Sequence, residues 1–485
     1  MKKVKRSFSL FIITTILISV LASCSATDGD DSAVSLPEPR NIIYFVGDGM
    51  GYNHVLAVNY YEHGEAGMQV YEQDDWYSAA MATYSAARFS RGDTIFKNGY
   101  APRTAWEDPA YLNRDYTDSG AAATALSTGR KVFDGSIGIG LYGDTLTHIS
   151  QAAKAIGKSV GIVTSVPISH ATPAGFIAHN HSRNNYEEIG RYMLFHTQAD
   201  VIMAPGHPMY NNDGEPAEMS ARYVGGREIW DQLAANDGRT EFTMDQQILR
   251  VQDVNGDGQR DAWTFVEDRE DFISLATGPT PRRVLGIPKA YSTLNQGRSG
   301  AGEFLMPFEK PLNENVPDLK ELTMASLNVL SQNEQGFFIM IEGGAIDWAS
   351  HGGHTGRMIE EHIDFNNAIM AAVSWVEENS SWEETLIIVT SDHECGYLTG
   401  PMHPEVVNDD VASRGTGELP EVQWNSGGHT NMLVPFYAKG PGTELFELFT
   451  EGLDPVRGPF LQNTDVANAI FLMWGKPDVM VHRLN

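Results

Sequence analysis

Residues Gly336–His354 read GFFIMIEGGAIDWASHGGH, and this stretch decides the fold. An apolar run, Phe337 to Ile341, ends on Glu342; two glycines follow, then Asp347 and His351 four residues apart. A short apolar run closed by turn-formers describes a strand buried on both faces. The exits of such strands are where α/β folds keep their sites, and Glu342 falls at one. If the segment after the glycines turns helical, Asp347 and His351 share a face and can grip one cation.

Four further segments repeat the pattern. Asn41 to Val46 (NIIYFV) is an apolar run of β-formers that ends in Gly47-Asp48-Gly49-Met50-Gly51. Ser159 to Thr164 predicts a buried strand whose exit carries His170-Ala171-Thr172-Pro173, and Thr385 to Thr390 predicts another, followed by Asp392-His393. Gly427-Gly428-His429 comes just before the last, Leu433 to Ala438. Helical patterns lie between them, at residues 148–158, 319–330 and 358–377. In the last, Ile359, Ile363, Ile369, Met370 and Val373 approximate an apolar stripe. Strands alternating with helices predict an α/β fold with a large, mainly parallel central sheet covered by helices on both faces. Pro205 to about Thr280 is polar and turn-rich and reads as an insertion; residues 52–115 show no clear period.

The residues at the strand exits have the chemistry of a metal centre. Three carboxylates (Asp48, Asp347, Asp392) and three histidines (His351, His393, His429) suit two zinc ions, which favour imidazole and carboxylate ligands. Glu342 and Thr172 offer hard oxygens of the kind magnesium prefers. Two divalent ions side by side can stabilise the attacking and leaving oxygens of an in-line displacement. Ser119 stands in Thr117-Asp118-Ser119-Gly120, ahead of the Ala-rich run Ala121 to Leu126. A serine there is either an N-cap or, with a helix N-terminus and a metal to lower its pKa, a nucleophile.

The ends and the composition bound where such a site would work. The first six residues, MKKVKR, are basic and Phe8 to Leu21 is apolar, as in a secretory signal over residues 1–23. Leu21-Ala22-Ser23-Cys24 resembles a lipoprotein cleavage box, with Cys24 as the lipidated first residue and membrane anchor. The acidic, small-residue stretch 24–39 is its tether, and residues 40–485 form one domain. With only two cysteines in the chain, acylation of Cys24 leaves Cys395 without a disulfide partner. Cys395 follows His393 by two, and its simplest reading is a buried small residue. A net charge of -29 excludes nucleic-acid binding as a function class.

Six motifs, NIIYFVGDGMG, YTDSGAAATALSTG, HATPAGFIAHNHSR, GFFIMIEGGAIDWASH, VTSDHE and SGGHT, occur in this order over roughly residues 40–440. Together they resemble the alkaline phosphatase family. The resemblance implies that fold and a phosphomonoesterase that passes through a phosphoserine on Ser119, with retention at phosphorus. It implies a first zinc on Asp347, His351 and His429, a second on Asp48, Asp392 and His393 that also activates Ser119, and one magnesium on Asp48, Thr172 and Glu342. Arg183 matches the arginine that clamps the phosphate, and Asp118 the carboxylate that orients it. Members are often homodimers, and the lipid anchor makes this an exported protein of the cell envelope acting on small phosphate monoesters.

Three positions depart from the best-known bacterial pattern. His170 stands where an aspartate supports the magnesium, Trp348 where a lysine or histidine approaches the phosphate, and Ser350 where a second aspartate holds the arginine. The last departure predicts a less rigid Arg183 and weaker phosphate inhibition than in Ser350→Asp. The alternative functions are a phosphodiesterase or sulfatase-like hydrolase of the same superfamily and a non-catalytic metal- or phosphate-binding lipoprotein. Separately, Asp253, Asn255, Asp257 and Asp261 fit the first half of an EF-hand calcium loop, but Thr264 stands where the bidentate glutamate belongs. An Asx/Gly turn is the simpler reading of that loop.

Overall fold

The computed structural model describes residues 36–90, 93–300, 305–401 and 407–476. The expected signal segment 1–23, Cys24 and the tether up to residue 35 lie outside the described residues. Among the described residues, no helix is long and apolar enough to cross a membrane.

Eleven strands form one sheet: β1 (Asn41–Gly47), β2 (Tyr77–Ala82), β3 (Ser159–Thr164), β4 (Val201–Met203), β5 (Thr264–Val266), β6 (Val284–Gly286), β7 (Phe337–Gly343), β8 (Thr385–Thr390), β9 (Val434–Lys439), β10 (Gly452–Asp454) and β11 (Gly458–Gln462). Across the sheet they run β10-β11-β2-β9-β8-β1-β7-β3-β4-β6-β5. From β8 to β5 every pairing is parallel. β9 is antiparallel to both of its neighbours, β8 and β2. The sheet is therefore mixed but mostly parallel, and β1 and β7, read from apolar runs alone, lie side by side at its centre.

The helices that build the cores or carry site residues include α1 (Tyr52–His63), α2 (Ser119–Thr128), α3 (Ile149–Ala155), α4 (Leu319–Leu330), α5 (Ala345–His351), α6 (Thr355–Asn379) and α7 (Asn463–Met473). β1 shows why a central strand must be apolar on both faces. Ile42, Tyr44 and Val46 join one core with residues of α2, α3 and α7, whereas Ile43 and Phe45 join a second core with residues of α1, α4 and α6. Each fully buried large side chain contributes roughly 1.5–3 kcal/mol. A change such as Ile43→Asp would put an unpaired carboxylate into the second core, and no position on this strand tolerates one.

The helix expected at 358–377 spans Thr355–Asn379, with one correction to its apolar stripe. Ile359 and Ile369 are fully buried, but Met370 is 46% exposed. The core-facing positions are Phe365, Ala368, Ile369, Ala372 and Val376, so Met370 is turned a third of the way round the helix from that face. The stretch expected as an insertion, 205–280, carries β5, which closes the sheet at one edge by pairing with β6.

Candidate active site

Because β8, β1, β7 and β3 are parallel neighbours, their exits lie side by side. Val46 of β1 is in register with Thr390 of β8 and Glu342 of β7, and Glu342 is in register with Thr164 of β3. Asp48 follows β1, Asp392 and His393 follow β8, and Glu342 is still within β7. Asp347 and His351 sit one turn apart on α5, and His170 and Thr172 stand at the short helical turn Ala171–Gly175 beyond β3. The antiparallel β9 starts at this same edge, so the segment before it brings in His429. His429–Thr430 forms a two-residue ladder with Glu394–Cys395.

These side chains converge in three groups. Ligand atoms of Asp347, His351, Cys395 and His429 lie within 4.8 Å of one another, as do those of Asp48, Asp392 and His393, and those of Asp48, His170 and Glu342. Asp48 belongs to two groups. The atoms themselves show that the donor set fits cations. Both carboxylate oxygens of Asp48, one oxygen each of Glu342, Asp347 and Asp392, the Thr172 hydroxyl and one ring nitrogen each of His170 and His393 are buried without a hydrogen-bond partner. Orphaned acceptors are costly, and their concentration at one sheet edge is what a set of ligands looks like. In the first group, His351 Nδ1 is 2.7 Å from the Gly427 carbonyl and His429 Nδ1 is 2.9 Å from that of Thr117. Each Nδ1–H therefore donates to a main-chain oxygen, and the two Nε2 atoms face each other at 3.3 Å. Two ring lone pairs held that way ask for a proton or a metal between them.

Ser119 is the first residue of α2, and its cap is Asp118, which accepts from the amides of Gly120 and Ala121 at 3.0 and 3.2 Å. The serine is thus relieved of capping. Its Oγ is buried and lies 3.2 Å from His393 Nε2, at a helix N-terminus that favours negative charge. Asp118 also accepts from the Gly135 amide at 2.7 Å and from Arg183 Nη1 at 2.9 Å. Arg183 is held a second way, its own amide donating to the Gly135 carbonyl at 2.8 Å.

The three departures fall differently from one another. His170 accepts from Arg183 Nη2 at 3.3 Å, so it touches the clamp as well as the third group. Trp348, half-buried, sets its ring edge-on to His170 with centroids 5.5 Å apart. Ser350 does not meet Arg183: its hydroxyl donates to the Ile346 carbonyl at 2.7 Å and lies 3.1 Å from Nε2 of the buried His54. The expected link between position 350 and the arginine is therefore corrected. Position 350 is on the side of α5 that packs toward α1. The Asp253 loop closes on itself, with the Asp253 carboxylate accepting from the amides of Gly256 and Gly258, each at 2.7 Å. That is the Asx/Gly turn.

The groups differ in charge. Burial pushes the carboxyls of Asp48 well up, Glu342 up to about 8 and Asp392 up to about 6, each raised further by the neighbouring carboxylates. Thr164, hydrogen-bonded to Glu342, only partly opposes this. In the first group, burial would raise Asp347, but His351 Nε2, 3.2 Å from Oδ2, and His429 Nε2, 3.5 Å from Oδ1, hold it well below the usual range when protonated. The bond to Asp347 in turn pushes His351 up to about 9. Burial drives His393 well down, and drives His170 down to about 3. Sequence reasoning missed Thr164, Gly135 and His54. Thr164 left a signal, a polar residue closing an apolar run; Gly135 and His54 act through the main chain and through packing, and left none.

The alkaline phosphatase family model matches residues 39–411. Alkaline phosphatase 4 of Bacillus subtilis is 26% identical, over 90% of this chain and 88% of that one. The alkaline phosphatase of Escherichia coli is 27% identical, over 73% and 70%. Among solved structures, the alkaline phosphatase of the Antarctic bacterium TAB5 superposes with a TM-score of 0.59 at 23% identity, covering 90% of this chain and 99% of that one. That of Thermus thermophilus gives 0.61 at 21%, covering 91% and 93%. A TAB5 variant with a histidine replaced by aspartate has Mg bound in its M3 site. With the family model covering most of the chain and the sheet matching the fold of these enzymes, the chain belongs to the alkaline phosphatase family of phosphomonoester hydrolases.

Proposed function

We propose that the chain hydrolyses small phosphate monoesters through a covalent phosphoserine on Ser119. The observation that carries this is Ser119 itself. It is free of its helix cap, buried beside His393, and adjoins the Asp118–Arg183 pair. Arg183 forks onto two non-bridging oxygens of the phosphate, which a planar guanidinium suits better than an ammonium. Asp118 and the Gly135 peptide fix that fork in advance, so no reorganisation is needed as charge develops. Ser119 Oγ attacks phosphorus in line, the ester P–O bond breaks, and the alcohol leaves. Water then attacks the phosphoserine, restoring Ser119 and releasing inorganic phosphate, with net retention of configuration.

The residues that would hold the ions are Asp347, His351 and His429 for the first zinc, Asp48, Asp392 and His393 for the second, and Asp48, Thr172 and Glu342 for magnesium, with His170 beside them. When bound, such ions supply positive charge to the attacking and leaving oxygens and lower the pKa of a nearby hydroxyl. Nε2 of His393, the atom that would hold the ion, stands 3.2 Å from Ser119 Oγ, and the burial of the site limits bulk water at the serine. We propose further that Cys24 carries the lipid that holds the enzyme at the cell envelope, and that the enzyme acts there as a homodimer.

Hydrolysis of p-nitrophenyl phosphate with zinc and magnesium supplied tests the reading. Turnover lost in Ser119→Ala is the expected result; undiminished turnover in that variant would overturn it. A preference for bis-p-nitrophenyl phosphate would point instead to a diesterase.

A further inference from the structure

We propose that Lys97 is a positioning residue of the phosphate clamp, tying together the two main-chain segments that aim Arg183. The inference rests on the proposed function, in which Arg183 grips the substrate phosphate. Two groups hold Arg183, the Asp118 carboxylate and the Gly135 carbonyl, and each belongs to a segment that Lys97 touches. Lys97 Nζ lies 2.9 Å from both Oδ1 and Oδ2 of Asp134, the residue before Gly135. It also donates to the carbonyl of Tyr116, two residues before Asp118.

The turn at Gly135 makes that tie count. Gly135 is left-handed, at φ +79°, and in that conformation its amide donates to Asp118 while its carbonyl accepts from Arg183. One residue thus meets both members of the clamp, and a shift of Asp134 beside it would move both bonds. Asp134 is fixed by the Lys97 ammonium and the Ser85 hydroxyl, and its own amide donates to the Ala87 carbonyl at 3.0 Å. The side chain of Lys97 has no exposed surface, and its three N–H groups are spent on Asp134 and Tyr116. The ammonium is therefore not itself a phosphate ligand, and its charge balances Asp134 so that Asp118 is left to Arg183. Removing one partner of such a pair leaves the other uncompensated, so the loss of Lys97 releases Asp134 and with it the turn.

A double-mutant cycle on the full chain, with zinc and magnesium supplied and p-nitrophenyl phosphate as substrate, tests this. Lys97→Met keeps the stem and removes the charge. A role confined to stability would act alike whether or not Arg183 is present, whereas a role through the clamp would not. With Arg183 in place, we expect Lys97→Met to lower kcat/KM by about 10²-fold, the scale on which a misplaced reacting geometry is felt, and to weaken inhibition by inorganic phosphate. In the Arg183→Ala background the same change should cost less than about twofold, because the arginine it serves is gone. An unchanged kcat/KM in Lys97→Met, or an equal fold-loss in both backgrounds, would overturn the positioning role and leave the clamp intact. An Arg183→Ala enzyme with native kcat/KM would overturn the clamp itself. If Lys97→Met fails to fold, Asp134→Asn, which removes the other charge of the pair, is run through the same cycle with the same outcomes.

Discussion

The first group and the group around Asp48 sit at the same sheet edge and solve the same electrostatic problem in opposite ways. Asp347 is neutralised by its own histidines: it is held well down while His351 is pushed up to about 9. Asp48 and Asp392 have His393 at 3.6 and 3.1 Å, but burial drives that histidine well down and keeps it neutral, and burial drives Asp48, Glu342 and Asp392 up. One group already carries a proton where its metal would go; the other carries carboxylates that cannot ionise together until a cation arrives. The difference teaches that metal loading at the two should depend on charge and pH in different ways.

The largest test of that contrast is Asp48→Asn. The amide keeps the shape and removes the one charge shared by the second and third groups. We expect metal analysis to show both of those sites emptied and the first still filled, with kcat down by at least ~10²-fold, the scale on which one lost electrostatic partner is felt. Equal loss from all three sites would break the contrast.

Next in size is pH. Metal entering the first group must displace a proton held by His351 up to about 9. Its zinc affinity should therefore rise by about tenfold per pH unit for each displaced proton as the pH approaches that value. Competition titration with a chelator across this range measures it; a flat profile would contradict the pairing of Asp347 with charged histidines.

In the metal-free chain, Glu342 binds a proton more tightly folded than unfolded, so the folded state is favoured below the ordinary carboxylate range. That contribution is lost as the pH rises from 4.5 through about 8. Thermal melts of chelated protein should fall over this window, and less so in Glu342→Gln. No difference between the two would sink the claim.

His170→Asp adds a carboxylate to the third group. We expect magnesium to bind it about tenfold more tightly, an effect of the size that changes beside a metal ligand produce. Unchanged magnesium affinity would mean that His170 serves Arg183 alone. At the smallest end, Ser350→Asp should leave phosphate inhibition unaltered, because its side chain faces His54 and not the arginine.

Much of this was legible in the chain. Phe337–Ile341 and Asn41–Val46 announce central strands because a strand with a helix layer on each face has no polar side to hide. Their exits then locate Glu342 and Asp48. His429 was readable only as the residue before a strand, and it reaches the site because β9 runs against its neighbour β8. What the sequence did not show depends on side-chain direction. Asp118, not Ser119, caps α2; Ser350 turns toward α1; Met370 turns to solvent. Cys395 meets the first group through a ladder of two residues a side, too short to leave a periodic signature.

The central claim is the covalent step at Ser119. Full-length enzyme turning over p-nitrophenyl phosphate, quenched in acid and digested, should yield the peptide containing Ser119 with one phosphoryl group attached, and none from Ser119→Ala. An active enzyme whose quenched peptides carry no phosphate at Ser119 would contradict the account.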